Sequence, residues 1–150
     1  MRKNLILTLV AIFIFILSGT CWAAPYKPFG DISSQQQAID KLFAGRTLDP
    51  IEGIWVLDNE HTIAIAKTAL GENPKYKNSD YLGIEFNEKK AGAVYVWLHK
   101  TQYSFCFRGD GTFRPWCQGV WKLLSPNILL FDGNNAGSPA MSFIRIYPAP

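Results

Sequence analysis

The sequence is short of the residues from which small catalytic and metal sites are built. Among 150 residues it has two histidines, His61 and His99, and three cysteines. Neither histidine has a recognisable nucleophile nearby in sequence, so a Ser-His-Asp or Cys-His device has no support. The few histidines and cysteines match no compact zinc-ligand spacing, and no metal or cofactor is called for. Gly109-Asp110-Gly111 lacks the Lys and following helix of a phosphate-cradling loop. Glu52, Asp58, Glu85 and Asp110 are candidate acid-base carboxylates. No spacing selects a pair among them, and surface solvation is the expectation for each. We assign no catalytic residue and read the chain as a binder rather than an enzyme.

Charge of one sign is also scarce. The formal net charge is +3, but two of the 15 basic side chains, Arg2 and Lys3, precede an apolar run from Leu5 to Leu17 and a mostly small-residue segment from Ser18 to Ala24. That order is a secretion signal, expected to be cleaved after Ala23, which makes the working protein secreted or periplasmic. The run is too short for the roughly 20 residues that span a bilayer, so no permanent membrane anchor is expected. Leu17-Ser18-Gly19-Thr20-Cys21 resembles a bacterial lipoprotein signal with one residue too many, and ordinary cleavage is the favoured reading. Without the leader, 13 basic side chains face 12 acidic ones. That balance gives no electrostatic basis for binding a nucleic-acid backbone or an anionic membrane.

Cys21 leaves with the signal. Cys106 and Cys117 remain as an even pair bound for an oxidising compartment, where a disulfide between them is expected; two free thiols are the alternative.

The exported part divides into an arm and one domain. Residues 24–32, with Pro25, Pro28 and Gly30, form an extended N-terminal arm. The domain, 33–150, opens with a short helix from Gln35 to about Phe43, capped by Ser33 or Ser34 and stopped near Gly45. Eight short runs rich in β-branched and aromatic residues follow: Gly53 to Asp58, His61 to Thr68, Tyr81 to Asn87, Ala93 to Lys100, Gln102 to Arg108, Phe113 to Leu123, Asn127 to Phe131 and Ala140 to Tyr147. In the fourth, Val94, Val96 and Leu98 alternate with Tyr95, Trp97 and His99. Most links are short, which favours antiparallel neighbours. Ala69 to Asp80 is the longest and is expected to be an exposed loop. The fold class is mainly β: an antiparallel up-and-down eight-stranded barrel with one short leading helix. Closure removes the exposed edges, and a two-sheet sandwich is the alternative.

Gly53-Ile54-Trp55, placed after a short helix at the start of the first strand, resembles the opening signature of the calycin group: lipocalins, fatty-acid-binding proteins and avidins. The Thr-Asp-Tyr turn of lipocalins is missing. The resemblance implies that Trp55 closes one end of the barrel and that Arg145, in Phe143-Ile144-Arg145-Ile146-Tyr147, packs across it, both in structural roles. It also implies a small apolar ligand inside the barrel. Ala64, Ala66 and Gly83 would leave room for it, with Tyr95, Trp97, Tyr103, Phe105 and Phe107 as lining residues; core filling is the alternative for each aromatic.

The layout also resembles small secreted bacterial protease inhibitors, in which an N-terminal segment enters the enzyme's cleft. That resemblance implies an extracytoplasmic protein partner for 24–31, with a plain disordered terminus as the alternative. A third option is an envelope module with Trp116 and Trp121 as exposed anchors for a protein partner. Arg108-Gly109-Asp110 spells an adhesion tripeptide but reads as hairpin-turn chemistry.

Intact mass of the exported protein tests the leader and the disulfide together. The expected species begins at Ala24, is two hydrogens lighter than its reduced form, and takes up a thiol reagent only after reduction.

Overall fold

The structure is a computed structural model that describes residues 26–57, 61–71, 78–86, 91–110, 119–133 and 140–149. The leader, Asp58, Trp116 and Cys117 lie outside the described residues.

Eight strands form one closed, wholly antiparallel up-and-down barrel. They are β1 (Gly53–Val56), β2 (Thr62–Lys67), β3 (Tyr81–Glu85), β4 (Ala93–Lys100), β5 (Cys106–Asp110), β6 (Gly119–Ser125), β7 (Ile128–Gly133) and β8 (Met141–Tyr147). Each strand pairs with the next, and β8 returns to β1, with Trp55 opposite Arg145. The sandwich alternative is therefore excluded.

A leading helix, α1, is α-helical over Gln35–Ala38 and winds more widely, as a π-helix, over Ile39–Phe43. The Ser34 hydroxyl accepts from the Gln37 amide at 3.2 Å, which satisfies one of the donors a helix start leaves open. Gly45, at φ +72°, supplies the left-handed residue after the helix.

The β-strands sort their side chains into two apolar clusters. Trp55, Ile63, Ile65, Tyr81, Tyr95, Val96, Leu98, Phe107, Trp121, Leu129, Phe131 and Phe143 come from all eight strands and fill the barrel interior. Trp121 sits among them with its ring 4.9 Å from Phe131 and 5.3 Å from Phe143. It is therefore an interior residue and not the exposed anchor expected from the sequence. The second cluster lies outside the barrel. Ile54, Ala64, Ala66, Leu82, Ile84 and Val94 face outward from β1–β4 and are covered by Ile32, Ala38, Leu42 and Phe43. The two alanines of β2 thus make room for the helix layer and not for a ligand, while Gly83 faces inward, where an added Cβ would stand 2.6 Å from Val96 Cγ1.

Three departures from the sequence reading have local causes. A bulge places Tyr95 as an extra residue between the pairs Gly83–Val96 and Ile84–Val94. Val94 therefore joins the outer cluster, and Tyr95 and Val96 both join the interior one. β5 starts four residues later than expected because Thr101 organises a turn: its hydroxyl accepts from the Tyr103 amide at 3.2 Å and donates to the Cys106 carbonyl at 2.9 Å. That start leaves Arg108-Gly109-Asp110 inside β5 and not at a hairpin tip.

Gly53 sits where only glycine fits. Its φ is +143°, and a Cβ there would meet the Tyr147 carbonyl oxygen at 2.1 Å, across the seam between β1 and β8. On the sector that α1 leaves bare, Leu124, Ile128, Ile144 and Ile146 are exposed, with Ile128 opposite Ile144.

These positions predict a graded response in urea unfolding. Phe143→Ala should cost about 3–5 kcal/mol through loss of buried ring and the cavity left behind. Ile144→Ala, one residue away on the outer face and 61% exposed, should stay within about 0.5 kcal/mol. Gly53→Ala should destabilise as an interior deletion does, because the seam must part to admit the methyl group.

Candidate functional site

The end of the barrel where β1 begins is held by a polar network beneath a short turn. Glu52 is completely buried. Its carboxylate accepts two donors from Arg46, the Asp49 amide at 2.9 Å and the Lys67 amide at 3.1 Å. Arg46 also donates through Nε to the Leu42 carbonyl at 2.6 Å, tying α1 to the barrel end. A buried carboxylate is tolerable only when it is paired and fully hydrogen-bonded, and this one is. The expectation of surface solvation therefore fails for Glu52. It fails also for Glu85, which is 4% exposed on β3.

Next to this network, Arg145 lies with its guanidinium carbon 4.4 Å from the centre of the Trp55 ring and donates to the Pro50 carbonyl. The Trp55 indole N–H donates to the Ile51 carbonyl at 3.0 Å. Burial lowers the Arg145 pKa from its ordinary value, yet a guanidinium so basic stays charged. The first and last strands are thus joined to the 49–51 turn by one stacked pair.

A cleft of about 330 Å³ opens above the turn, between Asp49, Ile51, Tyr81, Lys100, Tyr103 and Phe107, with Thr101 and Ser104 on its rim. The Tyr81 hydroxyl donates to Asp49 Oδ2 at 2.8 Å, and Lys67 Nζ lies 3.2 Å from Asp49 Oδ1. The hydrogen bond from Tyr81, together with Lys67, holds the Asp49 carboxyl below the usual carboxylate range. Burial, then the bond to Asp49 and its charge, push the Tyr81 phenol well above its ordinary value. At neutral pH this pair is a carboxylate with both oxygens occupied and a neutral phenol donor. Lys100 Nζ stands 5.4 Å from the Tyr81 ring centre.

The five aromatics expected to line one cavity are divided among three places. Tyr95 and Phe107 are in the interior cluster, and Phe107 also reaches the cleft. Trp97 packs against the outer cluster. Tyr103 and Phe105 stand outside the barrel on the β4–β5 turn, 54% and 51% exposed, with ring centres 5.9 Å apart. Of the five, Tyr103 and Phe107 line this cleft.

His99 links β5 to the turn before β3: Nε2 lies 3.1 Å from Asp110 Oδ2, and Nδ1 lies 2.9 Å from the Asn78 carbonyl oxygen. Cys106 is a free thiol among the described residues, and its expected partner, Cys117, is outside them. No group of three or more potential metal ligands occurs among the described residues.

Sequence reasoning missed Arg46, Asp49, Lys67 and Lys100. The usable signal was Asp49-Pro50, a turn directly before Gly53-Ile54-Trp55, whose buried backbone needs partners from elsewhere in the chain. Comparison with protein-family models, curated proteins and solved structures found no match. The likeness to the calycin group is carried by architecture: an eight-stranded, all-antiparallel closed barrel.

Two variants measure the network. Glu52→Gln should lose about 3 kcal/mol, because Arg46 is left without its buried counter-charge. Tyr81→Phe should lose about 1 kcal/mol. The lowered Asp49 pKa sets the sign of the pH dependence: its contribution is complete above the unfolded carboxyl value near 4 and is lost as pH falls through the folded value. Urea midpoints followed into acid should therefore fall less steeply in Tyr81→Phe than in the parent.

Proposed function

We propose that this chain is an exported small binding protein of calycin type that takes its ligand in the cleft at the β1 end of the barrel. One observation carries the reading. An exposed aromatic pair, Tyr103 and Phe105, stands beside a cleft of about 330 Å³, and Tyr103 forms part of its wall. Apolar clefts with a few convergent polar groups are the usual form of small-ligand sites. Aromatic side chains held in solvent are a recognised feature of binding surfaces. The wall is preorganised, because the Thr101 hydroxyl fixes the turn that carries Tyr103, and the Asp49–Tyr81 bond fixes the opposite side.

This reading moves the ligand from the interior to the rim. Trp121, Phe131 and Phe143 occupy the interior at no more than 1% exposure, so an apolar guest at their level would have to displace them. An inhibitory role for the N-terminal arm asks for a comparable rearrangement. Tyr26 and Phe29 pack against the outer cluster, and the Tyr26 carbonyl accepts from the Val94 amide at 3.4 Å.

Amide and ring chemical shifts recorded against a library of single-ring fragments test the site. Under this reading the responding residues are Asp49, Ile51, Lys100, Thr101 and Tyr103. Shifts concentrated at Trp121, Phe131 and Phe143 would return the ligand to the interior. An absence of saturable shifts at either place would remove the small-ligand reading.

A further inference from the structure

The cleft has an asymmetry in its polar groups that selects a ligand class. Its one carboxylate, Asp49, has both oxygens engaged, by Tyr81 and Lys67. At the same end of the barrel, Glu52 is saturated by Arg46 and two backbone amides. Asp80 accepts the Lys100 backbone amide at 2.7 Å. The cation that faces the cleft, Lys100, is less tightly engaged: among the described residues no carboxylate forms an ion pair with its Nζ, which lies over the Tyr81 ring and adds, after Tyr81 and Lys67, to the lowering of the Asp49 pKa. Ser104 and Tyr103, exposed residues of the same lining, carry hydroxyls able to donate. The carboxylates of this barrel end are engaged and the Lys100 ammonium is open to a further partner, which is the chemistry of an anion site.

The apolar part limits the shape of that anion. Ile51, Tyr81 and Phe107, all buried, and the exposed Tyr103 belong to its lining. An aromatic lining of this kind favours a planar ring in offset or edge contact. A volume of about 330 Å³ is at the lower end for ligand pockets and suits one ring rather than a lipid chain.

We infer that the cleft binds a small aromatic carboxylate, with the ring between Tyr81 and Tyr103 and the carboxylate on Lys100 Nζ and the Ser104 hydroxyl. The inference rests on the cleft being the binding site, and it adds the sign of the ligand's charge and the need for a ring. Binding exchanges the contact of Lys100 with the Tyr81 ring face for a charge-assisted hydrogen bond, the stronger of the two.

The test is a chemical-shift titration of the purified protein with benzoate, benzyl alcohol, benzylamine and acetate, repeated on Lys100→Met. Lys100 is exposed, so this variant is expected to keep the parent's unfolding midpoint, and that midpoint is measured alongside. Benzoate should saturate with shifts at Lys100, Thr101 and Tyr103, and bind roughly tenfold more tightly than benzyl alcohol or acetate. Lys100→Met should erase the advantage of benzoate over benzyl alcohol while leaving benzyl alcohol unchanged. Benzyl alcohol or benzylamine binding as tightly as benzoate, or an undiminished benzoate affinity in Lys100→Met, would overturn the anion assignment and leave the cleft reading standing. Acetate matching benzoate would overturn the ring requirement. No saturable shift at the cleft with any probe would overturn both the inference and the cleft reading beneath it.

Discussion

A single fully buried carboxylate governs the geometry of this barrel end. Glu52 immediately precedes Gly53, the first residue of β1, and its oxygens gather donors from α1's flank, from the 49–52 turn and from the end of β2. Removing a charge from water costs several kcal/mol unless every lone pair is met. The chain therefore has one low-energy way to arrange these segments around it. That arrangement puts the Pro50 and Ile51 carbonyls where Arg145 and Trp55 reach them, which joins the last strand to the first. The cleft is the space left above the same turn, and its shape depends on the carboxylate below.

Two clusters on opposite sides of one sheet explain how so short a chain can be stable. The interior cluster draws on all eight strands, whereas the buried members of the outer one come from β1–β4, the adjoining Phe86 and the segment from Ile32 to Phe43, with Tyr26, Phe29 and Tyr147 packed against them. A barrel built from strands of four to eight residues encloses little more than its own side chains, so aromatic content goes into filling it. Under the proposed reading recognition is then left to the loops and rims, the usual carriers of function on a rigid scaffold.

The barrel itself was legible because turn residues and period-two runs recur at short spacing, and the Gly53-Ile54-Trp55 start with Arg145 marked which strands meet. Side-chain direction was less legible. Tyr95 is an extra residue in β4, and one insertion reverses the facing of what precedes it; nothing in Val94-Tyr95-Val96 distinguishes a bulge from regular alternation. The start of β5 was misplaced for a related reason. Gln102 to Phe105 has the composition of a strand, and only the hydroxyl of Thr101 makes it a turn. The Glu52 network could not be read at all, since Arg46 and Lys67 are ordinary surface residue types until folding brings them to a buried partner.

The hydrogen bond from Arg145 to the Pro50 carbonyl at the barrel end joins positions 95 residues apart. During synthesis, which proceeds from the N-terminus, α1 and β1–β4 are present long before β8 emerges. The outer cluster can therefore form early, while half the interior surface of β1–β4 waits for strands that do not yet exist. Such distant pairing slows closure, and until it happens β1–β4 stand as an open, aromatic-rich sheet. The helix layer then has a role in time as well as in space: it shields one face of that sheet until Arg145 arrives to shut the other.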